Sequence, residues 1–118
     1  MRGTRALLLV ALAALAFFAT KLRRRFEPFP VRVAGASMEP TLHPGDLLAV
    51  SPVVEPRLGD VVVVRARGTE MVKRVSEIEG DCWHLTGDSR ESTELYVDAD
   101  DLSGVVLARY WPKPTRLR

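Results

Sequence analysis

Asp60-Val61-Val62-Val63-Val64-Arg65-Ala66, followed after a short break by Met71-Val72-Lys73-Arg74-Val75-Ser76-Glu77-Ile78, decides the fold. Both segments are rich in β-branched residues, and Gly, Pro and Asp turns bound the extended runs of this chain, so they are expected as strands over 60–66 and 70–78. The first is apolar on both faces, which places it in the centre of a sheet or against a bilayer. The second alternates. Met71, Lys73 and Val75 share one face, and Val72, Arg74 and Ser76 take the other. Further strands are expected at 31–34, 47–51, 82–86 and 104–110, and residues 91–103, which are acidic, as a loop with a short helical turn. The fold class is therefore a small, mostly antiparallel β-fold, and no internal repeat is evident.

Lys73 stands out because apolar neighbours flank it on its own face. Burial disfavours the charged form of a lysine and lowers its pKa. At the ordinary value of about 10.4 only roughly 0.04% of a lysine is neutral at pH 7, so such a shift makes a general base available. The bland alternative is a lysine that snorkels from a strand edge to water. The complementary group is in Gly35-Ala36-Ser37-Met38-Glu39-Pro40-Thr41-Leu42-His43-Pro44-Gly45-Asp46, where two prolines and two glycines fix a turn-rich backbone around Ser37. A serine is a poor nucleophile until a base takes its proton. Two histidines, His43 and His84, are the other candidate bases. His84, in the alternating run Asp81 to Thr86, is the better placed of the two for a triad drawn from distant parts of a fold.

These segments resemble the S26 signal peptidase family, the Ser-Lys endoproteases related to bacterial signal peptidase I. The matching blocks are Gly35 to Leu42 with Pro44-Gly45-Asp46, Gly59-Asp60 with the valine run, Val72-Lys73-Arg74-Val75 with Gly80-Asp81, Gly87-Asp88-Ser89, and the closing Gly104 to Pro112. The resemblance covers about residues 31 to 112. It implies that Ser37 is the nucleophile, that Lys73 is the general base and that Met38 lines the substrate site. It implies that Ser92 hydrogen-bonds the lysine and that the Ser37 backbone N–H forms the oxyanion hole. Some members add a hydroxyl two residues before the nucleophile; here that position is Gly35. The last block departs from the family pattern: Ser89 to Tyr96 lacks its final arginine, so Glu94, standing for the usual aspartate, has no arginine partner in place. The insert that caps full-length signal peptidases is missing between Val75 and Thr86. The small size and the ending Leu107 to Pro112 also resemble the nickel-type superoxide dismutase maturation proteases.

The remaining sequence frames this site. At 118 residues one domain is expected. The net charge of +2 is concentrated near the front and there is no basic stripe with interleaved aromatics, so nucleic acid is not an expected partner. The single cysteine, Cys82, forms no internal disulfide. No metal-ligand spacing and no phosphate loop is present, and no cofactor is expected. Residues 6–19 form an uncharged apolar run between Arg5 and Lys21, which reads as a retained membrane anchor or as the apolar part of a cleaved leader. No clear small-x-small cleavage site follows Phe17-Phe18, which favours the anchor. Arg2 and Arg5 precede the run and Lys21, Arg23, Arg24 and Arg25 follow it, a bias toward a cytoplasmic domain. A secretory peptidase needs the opposite orientation. The organisation is then an anchor over 1–20, a basic and proline-rich linker over 21–30, a catalytic domain over 31–112 and a basic tail over 113–118. The partners are an extended N-terminal segment of a precursor protein and the lipid bilayer. The competing class is a non-catalytic β-domain that binds peptides or membranes, which needs neither Ser37 nor Lys73.

Overall fold

The computed structural model describes residues 2–118. Met1, where the expected anchor begins, lies outside the described residues. The elements run α1 (Arg2–Phe26), β1 (Phe29–Arg32), β2 (Leu47–Ser51), β3 (Val61–Ala66), β4 (Thr69–Glu79), β5 (Cys82–Thr86), β6 (Leu95–Asp98), a 3-10 turn (Ala99–Asp101), β7 (Leu102–Trp111) and β8 (Thr115–Arg116). The strands form one antiparallel sheet in the order β1-β2-β7-β3-β4-β5-β6, with β8 added to β7.

The valine run lies at the centre. β3 pairs with β4 on one side and β7 on the other, and Val61 to Val64 are each at most 1% exposed. Its residues alternate between two apolar clusters. Val61 and Val63 pack with Val31, Val33, Met38, Leu42, Leu48, Val50, Val72 and Val106. Val62 and Val64 pack with Val75, Leu85, Val97 and Val105. A sheet with a core on each face requires such a run. Burying each of these valines contributes about 1.5–3 kcal/mol, so four of them rival the whole net stability of a typical domain.

Register shifts interrupt the ladders at Leu47/Leu48, Ala49/Val50, Val63/Val64 and Val75/Glu77. Bulges of this kind bend a strand and increase its twist, which lets one sheet wrap two cores. β7 passes between partners: Leu102 to Val105 pair with β3, and Val105 to Trp111 with β2. At this crossing a Cβ on Gly104 would lie 2.7 Å from Val50 Cγ1 and 2.8 Å from the Ser51 carbonyl oxygen, so only glycine fits. β3 and β4 join through Arg67 and Gly68, whose φ angles of 53° and 75° match the twist of a two-residue hairpin.

α1 passes the length and composition test for a membrane span over Gly3–Phe26, and none of that window is buried against the rest of the chain. Its 24 residues extend about 36 Å, enough for a hydrocarbon core of about 30 Å. The helix stops where Glu27 turns to a φ of 46° and donates its N–H to the Arg23 carbonyl, with Pro28 next. Of the segment expected as a linker, residues 21–26 continue the helix and 29–30 open β1, which leaves Glu27 and Pro28 between the two elements. The acidic stretch expected as a loop holds the helical turn but also β6, and the basic tail contributes β8.

Candidate active site

Residues 33 to 46 form a closed loop. Val33 and Gly45–Asp46 exchange backbone hydrogen bonds at its neck: Val33 N–H to Asp46 O at 2.9 Å and Gly45 N–H to Val33 O at 2.7 Å. Met38 and Leu42 are driven into the core beneath it, 1% and 0% exposed. Met38 was expected to line the substrate site; it instead anchors the turn from below, because a large apolar side chain at this point of the loop has the core to fill.

Two ion pairs hold the loop from opposite sides. Arg74 grips Asp88 with Nε to Oδ1 and Nη2 to Oδ2, both at 2.8 Å, and Asp88 Oδ2 accepts from Thr41 Oγ1 at 2.6 Å. The Arg74 hydrogen bonds hold the Asp88 carboxyl below its ordinary range, against the opposing effect of burial, and they raise the Arg74 guanidinium. At the neck, Arg109 Nη1 donates to Asp46 Oδ2 at 3.1 Å and to the Thr41 carbonyl at 3.3 Å. Burial pushes Asp46 up, but the His43 N–H and Arg109 outweigh it, and its pKa is lowered.

Lys73 lies on β4 between Met71 and Val75, on the same face, and is 5% exposed. Its Nζ donates to Ser92 Oγ at 2.8 Å and to the Thr93 carbonyl at 3.1 Å. Among the described residues no carboxylate pairs with it, and burial lowers its pKa. The amine is thus held by Ser92 and Thr93 instead of reaching out from a strand edge to open water. A neutral amine has two N–H groups and one lone pair. Ser92 and Thr93 take the two N–H groups, which leaves the lone pair free.

Ser37, Lys73 and Ser92 line one cavity of about 290 Å³, together with Ala36, Ser89, Glu91 and Thr93. Ser37 Oγ donates to the carbonyl of Val72, the residue before Lys73, at 3.3 Å. The Ser37 carbonyl accepts the Ser89 N–H at 2.9 Å, which ties the loop to the segment that carries Ser92. A Cβ on Gly87 would lie 2.1 Å from Ser92 Oγ and 2.2 Å from the Ser37 oxygen, so a glycine at this point lets the two segments meet. At Gly35 an added Cβ meets nothing within 4 Å. On the other side of Ser37 a narrow cleft of about 80 Å³ runs between residues 31–35 and Glu70-Met71-Val72. Both walls have an unpaired edge: β1 pairs only with β2, and pairing of β4 with β5 begins at Arg74.

The histidines are elsewhere. His43 lies 3.5 Å from Glu39 at the surface. His84 stacks on Tyr96, with centroids 4.5 Å apart, and its Nε2 is 3.3 Å from Glu94. Neither lines the cavity. Glu94, which lacks the family's arginine, has His84 beside it instead. Asp88, Arg74, Thr41, Arg109 and Thr93 were not singled out in the sequence. Asp88 and Arg74 stood in matching blocks, and their charge in otherwise ordered segments was the signal.

An antiparallel β-domain that brings a serine and a buried, uncompensated lysine into one cavity has the equipment of a serine peptidase. The chain belongs to the Peptidase S24-like family, whose model matches residues 12–107. A comparison with the curated proteins gives no match.

Proposed function

We propose that this chain is a membrane-anchored Ser-Lys endopeptidase of the signal-peptidase type, which removes an N-terminal leader or propeptide from a precursor protein. The observation that carries the reading is the Lys73 amine: buried, without a carboxylate, with both N–H groups of its neutral form engaged, in the cavity that Ser37 lines. A binding module gains nothing from a cation held at such a cost.

In this reading a substrate peptide extends along the cleft between residues 31–35 and 70–72, where main-chain edges on both sides offer β-type hydrogen bonds. The Lys73 lone pair takes the Ser37 hydroxyl proton as Oγ attacks the scissile carbonyl. The oxygen becomes an oxyanion, which the Ser37 N–H stabilises. The Lys73 ammonium then gives its proton to the departing amine. Water attacks the acyl-serine ester, Lys73 takes a proton from that water, and Ser37 Oγ regains it as the ester opens. Ser92 keeps the amine aimed. In this reading the hydroxyl of Ser37 turns from Val72 O toward Lys73 when substrate occupies the cleft, as catalytic hydrogen bonds often tighten only in the substrate complex.

A narrower assignment, a dedicated maturation protease for nickel-type superoxide dismutase, is favoured by the β4–β5 connection. It is only Gly80–Asp81, so among the described residues this connection adds no cap over the site. The basic residues in the last turns of α1, which follow the apolar run, point the same way. The test is cleavage of purified precursors by the full chain in detergent, with N-terminal sequencing of the product. Cleavage at one position, lost in Ser37→Ala, supports the peptidase. An inert wild-type chain that still binds the precursor supports the binding module.

A further inference from the structure

Where α1 meets the β-domain, away from the serine, the chain has a cleft of about 510 Å³ lined by Phe26, Val54, Arg57, Leu107, Arg116 and Arg118. Its apolar part is Phe26, Val54 and Leu107, and its rim is three arginines. Acceptors for them are few. Asp60 Oδ1 lies 3.6 Å from Arg118 Nε, and Asp60 Oδ2 accepts the main-chain N–H of Arg57, not its guanidinium. Arg116 Nε donates to a main-chain oxygen of Arg118. Arg118 Nη1 is buried and has no hydrogen-bond partner among the described residues. An oxygen-rich anion supplies what is missing, and arginine forks suit phosphate geometry.

The place of the cleft says which phosphate. Phe26 ends α1, and the apolar run ends before Lys21. Five residues of helix advance about 7.5 Å, which takes Phe26 from the hydrocarbon edge into the headgroup layer, itself about 5–8 Å thick on each side. The adjoining segment 52–58 is bound to the helix end: Ser51 Oγ donates to the Phe26 carbonyl and accepts the N–H groups of Val53 and Val54. That segment holds Val53 and Leu58 52% and 64% exposed. Apolar side chains beside arginines at this depth are the pattern of an interfacial contact.

We propose that this cleft seats the phosphate of an anionic phospholipid from the leaflet in which α1 ends, with Val53 and Leu58 resting in the interface. The seat fixes the height and rotation of the β-domain over the bilayer. It rests on the reading of α1 as a retained span. The guanidinium groups of Arg57 and Arg116 act separately from Arg23, Arg24 and Arg25, which ride on the helix itself.

The test uses the full chain with Leu58→Cys and Cys82→Ser, labelled at position 58 with an environment-sensitive dye and reconstituted in phosphatidylcholine vesicles with or without phosphatidylglycerol. Flotation with the vesicles in both lipids reports the anchor. The seat predicts roughly twofold stronger quenching of the dye by headgroup-attached nitroxide when phosphatidylglycerol is present, shrinking at high salt. Adding Arg57→Gln and Arg116→Gln removes that response and leaves flotation intact. Equal quenching in the two lipids overturns the seat, as does an undiminished response in the double variant. A chain that does not float overturns the anchor reading and the seat with it.

Discussion

A lysine held 5% exposed, with no carboxylate in ion-pair contact among the described residues, is a local destabilisation, and its chemical use can be separated from that cost. Lys73→Ala and Ser37→Ala are each expected to lower precursor cleavage by at least about 10³-fold while circular dichroism stays native. Lys73→Met, which suits the apolar neighbours Met71 and Val75, is expected to lose activity equally but to melt several degrees higher, a gain of about 1 kcal/mol. The pH dependence has a definite sign. The folded pKa of Lys73 lies below its ordinary 10.5, so between the two the unfolded chain binds the extra proton. Wild-type stability therefore rises with pH across that interval, and the slope is absent in Lys73→Met. Cleavage should rise with pH through the same lowered pKa, since only the neutral amine accepts the serine proton. A rate flat from neutral to strongly alkaline pH, or a Lys73→Met enzyme that cleaves normally while His84→Ala does not, counts against the lysine base. Gly35 offers a gain instead of a loss. Its Cβ position is open, so Gly35→Ser can add an oxyanion donor, and severalfold faster turnover without a change in KM is expected.

Between residue and fold, the unit that matters is the loop 33–46 with its two clamps. Asp88→Asn leaves Arg74 without its carboxylate and removes the charge from the acceptor of Thr41, at a cost of about 1–3 kcal/mol. Asp88 has a lowered folded pKa, so its contribution is present above the ordinary carboxylate value of 3.8 and lost as pH falls through the lowered one. Acid unfolding of Asp88→Asn, followed by tryptophan fluorescence, should accordingly be shallower than that of wild type. Gly87→Ala drives a methyl onto Ser92 Oγ and the Ser37 carbonyl, and a displacement of about 1 Å at this point is worth roughly 100-fold in rate. The elements differ in how far the sequence disclosed them. β2 to β5 and β7 were legible because valine runs and Gly-Asp turns mark them, and the alternation of β4 placed Lys73 beside Met71 and Val75 on the correct face. β6 was not read, although Leu95 and Val97 alternate with exposed Tyr96 and Asp98, because acidic composition masked a period of two over only four residues. The burial of Met38 and the Asp88–Arg74 clamp depend on contacts between segments far apart in the chain, which no local pattern encodes.

At the scale of the whole molecule, the proposed anchor predicts which side of a membrane the cavity faces. Lys21, Arg23, Arg24 and Arg25 follow the apolar run and Arg2 and Arg5 precede it, so for a retained anchor the bias predicts a cytoplasmic β-domain. The uncharged run itself covers only residues 6–19, so in the proposed anchor α1 would cross by drawing its flanking cations toward the headgroups, and the pull of those cations would decide the orientation. Fusions to the C-terminus read the outcome: alkaline phosphatase is active only outside, and green fluorescent protein exported in unfolded form stays dark there. A fluorescent, phosphatase-negative pair is expected. Neutralising Arg23, Arg24 and Arg25 to Gln should then convert it, since the two arginines at the other end become the majority. An active phosphatase fusion in the wild-type chain would place Ser37 outside, remove maturation of a cytoplasmic precursor, and leave secretory leader removal as the activity to assay.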